Sequence, residues 1–212
     1  MLSGEHPAGV WTVPRPGRPG QECAWATRDT ARHPPPRVST PFPGSVSTFL
    51  AAGYGAGTVA KAKVGGGAFV VEAMEGMTQG RLAFGLDPTG APYGIWQAGE
   101  HKGVGVYNEP SAVIWNELMT RDYEGAKAFY GSVFGYDYDE LGDGTNVQYS
   151  TIKRSDGEVV GGLGAMGAEV PAEMTPQWTT YFNVADTDAT AAKAAELGAT
   201  ISSEPTDTPF GR

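Results

Sequence analysis

The tripeptide Ala-Lys-Ala occurs at 60–62, 126–128 and 192–194, so its starts lie 66 residues apart both times. Its surroundings repeat as well. GTVAKAKVGG at 57–66 and ATAAKAAELG at 189–198 share five of ten positions at an offset of 132. Asp122 and Asp188 each precede their tripeptide by four residues. A short strand-like run stands before each copy: Val46–Gly53, Ala112–Met119 and Trp178–Ala185. A unit of this length, present three times, constrains the architecture before any single motif does.

Bulk composition excludes several classes. A formal net charge of −9 over 212 residues argues against nucleic-acid binding, which needs clustered Lys and Arg. No apolar run approaches the roughly 18 residues of a membrane span. The N-terminus MLSGEHPAGVW lacks a basic segment followed by an apolar one, so no secretory signal is expected. Cys23 is the single cysteine, which forbids an intrachain disulfide and points to a reducing, cytoplasmic setting.

The chain is not uniform. Residues 1–45 hold nine of the sixteen prolines and five arginines, but no lysine. They show no apolar period and bury too little to offset the entropy of ordering, so a disordered tail is expected. An alternative is a segment foreign to the domain, from a wrong start or a shifted frame.

From residue 46 the pattern sharpens. The first unit, 46–97, reads as strand, helix (about 56–64), glycine stop at 65–67, and strands at 68–73, 81–86 and 91–96. Asp87-Pro88-Thr89-Gly90 fits a type I turn. A linker covers 98–111. The second unit, 112–165, places Asp122 as N-cap of a helix over 123–134, with Ala126, Phe129, Tyr130 and Val133 as its apolar stripe. Strands are expected at 136–140, 146–153 and 158–164, the last two joined by Asp156-Gly157. The third unit, 177–212, has its strand, a helix over 188–197 and a strand at 199–204, and reads as a truncated βαβ copy. The fold class is α+β, built from repeated βαβββ units.

Three phrases carry a family resemblance: IWNELMTRDYEGAKAFYGSVFGY (114–136), TTYFNVADTDATAAKAAELGAT (179–200) and GRLAFGLDPTGAPYGIWQ (80–97). They resemble the vicinal oxygen chelate superfamily, which includes glyoxalases, bleomycin resistance proteins and dioxygenases. The resemblance implies that units pair around a cleft, with their strands forming a curved mixed sheet and the helices outside. On that template 46–97 is the second half of one domain, and 112–165 with 177–212 begins another, as in a truncated tandem member.

Metal-dependent relatives hold a divalent ion with His and Glu from first and last strands. The 66-residue register puts Phe49, Trp115 and Tyr181 at the first-strand position. None ligates as His does, so no metal and no cofactor is expected. His6, His33 and His101 all lie outside the units. Glu117 shares a strand face with Trp115, two residues away, and is the candidate acid–base or ligand-contacting group. Asp122, Asp186 and Asp188 read as helix caps. Phe49, Trp96, Trp115 and Tyr181 are the candidate ligand-binding residues, with Trp178 and Phe182 nearby. Together they suggest a cleft for a small, flat, mostly apolar molecule. The alternatives are a metal-dependent lyase, isomerase or dioxygenase of the same superfamily, or a fragment without independent function. Expected partners are a small-molecule ligand and a second copy through unit pairing.

Overall fold

The computed structural model describes residues 10–12, 46–53, 55–142 and 147–208. Among the described residues, two five-stranded mixed sheets and three helices make an α+β fold. Sheet A contains β1 (Val10–Thr12), β2 (Thr48–Ala51), β3 (Ala68–Glu75), β4 (Gly80–Leu86) and β5 (Pro92–Ala98), in the order β1-β2-β5-β4-β3. Its helix α1 spans Gly55–Val64. Sheet B contains β6 (Val113–Thr120), β7 (Asp137–Glu140), β8 (Tyr149–Lys153), β9 (Val159–Ala165) and β10 (Gln177–Phe182), in the order β10-β6-β9-β8-β7. Helix α2 (Tyr123–Phe134) follows β6, and α3 (Thr187–Glu196) follows β10.

Each sheet is built the same way. The first strand of a unit lies parallel to its last strand, and the intervening strands run antiparallel. Strand β10 joins sheet B antiparallel to β6, so a strand of the third unit completes the sheet of the second.

Two expectations change here. Residues 1–45 were expected to carry no structure, yet Val10–Thr12 pair antiparallel with β2. The pairing repeats that of β6 with β10: Trp11 opposes Phe49 as Trp115 opposes Tyr181. The remainder of 1–45, Cys23 included, lies outside the described residues. The strand expected at 199–204 does not form. No neighbouring strand lies there among the described residues to take its backbone groups.

One core serves both sheets. The stripe of α2 is buried as its spacing dictates, with Ala126, Phe129, Tyr130 and Val133 all inside. Its rings meet Tyr93 of β5 edge-on, with centroids 5.9 Å away for Phe129 and 5.8 Å for Tyr130. Leu50, Ile95, Leu118, Ile152, Leu163 and Trp178 close the same cluster. Each large apolar side chain so buried contributes about 1.5–3 kcal/mol. Asp87 caps the 87–90 turn, accepting from the Thr89 and Ala91 amides, and accepts from Tyr130 Oη at 2.9 Å. Trp178 Nε1 donates to Tyr130 Oη at 3.0 Å, which ties β10 into the network.

Helix α3 differs. Asp186 caps it by accepting from the Ala189 amide at 2.8 Å, but the helix buries none of its residues. A groove of about 480 Å³ runs along its Ala189, Lys193 and Leu197 face. Among the described residues no helix is long and apolar enough to cross a membrane.

Candidate ligand-binding site

Strand alternation sorts the sequence-predicted residues. In β6, Asn116, Leu118 and Thr120 are buried. Trp115, Glu117 and Met119 therefore stand on the opposite face of sheet B. There Tyr149 Oη donates to Glu117 Oε2 at 2.8 Å, and Tyr181 Oη donates to Glu117 Oε1 at 2.7 Å. Trp115 Nε1 donates in turn to Tyr149 Oη at 3.0 Å. One carboxylate is thus gripped by two phenols and backed by an indole, with three strands supplying the parts. Tyr181 is 45% exposed, so the cluster opens to solvent.

Gly162 makes the cluster sterically feasible. It lies opposite Glu117 on β9, and a Cβ there would sit 1.9 Å from Tyr149 Oη and 3.1 Å from Trp115 Nε1. Burial holds the Tyr149 phenol well above its ordinary pKa, and the Glu117 charge adds to the shift. Burial raises Tyr181 as well, reinforced by its hydrogen bond to Glu117. Both hydroxyls therefore stay protonated donors through the physiological range.

Sheet A carries the other two candidates, apart from this cluster. Phe49 faces Phe84, with ring centroids 6.1 Å apart, and lies over Gly94, where a Cβ would be 2.2 Å from its ring. Trp96 is only 8% exposed; its Nε1 donates to the His101 carbonyl at 3.0 Å beneath the 99–101 segment. The structure brings Trp115, Glu117 and Tyr181 together and leaves Phe49 and Trp96 on the other sheet. Trp178 belongs to the core, and Phe182 is half exposed.

The structure also corrects the register. Helix α2 starts 68 residues after α1, and α3 starts 64 after α2. Phe49 opposes Gly94 as Glu117 opposes Gly162, again 68 residues apart. The position matching Phe49 and Tyr181 is therefore Glu117, not Trp115. Ala-Lys-Ala misleads because it sits two residues earlier in α2 than in α1 and α3.

A divalent ion does not fit these residues. Glu117 is the single carboxylate of the cluster, and the two phenols that donate to it are held neutral, which makes them poor ligands. Among the described residues no three His, Cys, Asp or Glu side chains converge. Tyr149 was missed in the sequence; its only signal was alternation in β8 opposite the Gly161-Gly162-x-Gly164 run.

The description of the Glyoxalase/Bleomycin resistance protein/Dioxygenase superfamily matches residues 112–212. CFP32 of Mycobacterium tuberculosis (strain CDC 1551 / Oshkosh), a protein whose name includes glyoxylase, is 38% identical over 176 residues. That alignment spans 82% of this chain and 66% of CFP32. This chain belongs to the glyoxalase/bleomycin resistance/dioxygenase superfamily. The anthracycline biosynthesis protein DauV of Streptomyces sp. (strain C5) is 34% identical over 154 residues, 72% of this chain and 54% of DauV. The chain spans less than two thirds of the length of these relatives. Among solved structures, the Mn(II)-bound glyoxalase from Novosphingobium aromaticivorans aligns at 12% identity over 72% of this chain and 51% of that chain, with a TM-score of 0.45.

Proposed function

We propose that this superfamily member binds a small, flat, mostly apolar molecule on the outer face of sheet B, without a metal ion. The observation that carries the reading is the hydrogen-bonded chain Trp115–Tyr149–Glu117–Tyr181 on a face turned away from the core. Trp115 and Tyr181 are directly opposed across the β6–β10 pair, so a planar molecule can lie along both rings. Glu117 supplies the polar contact that orients it, a small number of fixed polar groups in an apolar surround being typical of ligand sites. The name of DauV connects that relative to anthracyclines, which are fused-ring molecules and of suitable shape.

In this reading Glu117 accepts a hydrogen bond from the ligand, and the two phenols keep its carboxylate fixed. The test is a tryptophan-fluorescence titration of EDTA-treated protein with a neutral naphthyl compound. Saturable quenching that is lost in Trp115→Ala supports the reading. Binding that appears only after Ni, Zn, Fe or Mn is restored at one ion per chain contradicts it, and favours a metal-dependent lyase, isomerase or dioxygenase.

A further inference from the structure

Building on that ligand site, we infer that it selects flat aromatic molecules carrying a protonated amine. The hydrogen-bond inventory points there. The three donors of the cluster, Trp115 Nε1 and the two phenol hydroxyls, are all spent inside it. Each Glu117 oxygen accepts one hydrogen and keeps a lone pair, and Tyr181 Oη keeps its acceptor capacity. The site offers acceptors and no free donor, so its ligand must bring the donor.

Charge narrows the class further. Among the described residues no Lys, Arg or His nitrogen lies within 4.0 Å of the Glu117 carboxylate. Three other carboxylates on or beside the same sheet are paired: Asp139 with Lys153, Glu140 with Lys127, and Asp156 with Arg154. Glu117 has no such partner, which leaves its charge for an external cation. The rings of Trp115, Tyr149 and Tyr181 lie beside it, linked through their polar atoms, and aromatic faces attract ammonium groups. A net charge of −9 draws cations toward the molecule and repels anions. An anionic ligand would face Glu117 without a counterion, and a neutral alcohol would use only the lone pairs.

Three matched probes separate these cases: 1-naphthylmethylamine, 1-naphthylmethanol and 1-naphthoate, titrated calorimetrically into the full chain at neutral pH. The amine is expected to bind about tenfold more tightly than the alcohol, and the carboxylate least. The amine's advantage should vanish in Glu117→Gln and shrink in the wild-type protein as salt is raised. Equal binding of amine and alcohol overturns the charge selectivity and leaves the aromatic site standing. Failure of all three to bind overturns the site itself. An advantage that survives both Glu117→Gln and high salt overturns the role given to Glu117. The salt series needs no variant, so the inference stays testable if Glu117→Gln fails to fold.

Discussion

The buried hydroxyl of Tyr130 donates to Asp87 Oδ2 at 2.9 Å, across 43 residues of sequence. It links the helix of one unit to the turn of another, and Trp178 Nε1 completes the link from a third. Removing the hydroxyl leaves a buried acceptor and a buried donor unmatched, each costing about 1–3 kcal/mol. Tyr130→Phe is therefore expected to lower the urea midpoint by a corresponding amount. Because one core spans both sheets, fluorescence and circular dichroism should still report a single shared transition.

Much of this arrangement is legible in the sequence, because it rests on local signals. The stripe of α2, the Asp122 cap and the Asp87-Pro88-Thr89-Gly90 turn each follow from short-range chemistry. The repeat finds all three helices. It does not find the site register, since an offset of 68 followed by one of 64 averages to the 66 of the tripeptide. A slip of two residues keeps each side chain on its strand face, so alternation gives no warning. Tyr149 meets Glu117 only through β8–β9 and β9–β6 pairing, which no local pattern encodes.

Alkaline pH gives a second prediction. Tyr149 and Tyr181 are held above the ordinary tyrosine value of about 10, by burial and by Glu117. A raised folded-state value contributes stability that is fully present below the unfolded value. That stability is lost as pH rises through the folded one. The thermal midpoint should hold up to about pH 10 and fall above it. In a spectrophotometric titration, Glu117→Gln should bring two tyrosines back toward ordinary behaviour.

Close approach at two glycines separates the sheets. Gly162→Ala would place a Cβ 1.9 Å from Tyr149 Oη, forcing the phenol off Glu117. Gly94→Ala would place one 2.2 Å from the Phe49 ring on sheet A. Both should cost about 1–3 kcal/mol of stability by overpacking. Only Gly162→Ala should weaken naphthyl binding, measured by calorimetry on folded protein.

Helix α3 should be the least protected helix of the three. It buries no residue, and Leu197 beyond its end is 78% exposed. Amide hydrogen exchange is expected to be fast over Thr187–Glu196 and slow over Tyr123–Phe134. Leu197→Ala should change global stability by no more than about 0.5 kcal/mol. Phe129→Ala, in the α2 stripe, should cost about 3–5 kcal/mol.

The most direct test of the account locates the ligand. The chain has five tryptophans, and each indole N–H gives its own nitrogen-correlated proton resonance. With 1-naphthylmethylamine added, the resonance assigned to Trp115 by Trp115→Phe should shift saturably, while that of Trp96, buried on sheet A, stays in place. A saturable shift confined to Trp96, or none at Trp115, would contradict the account.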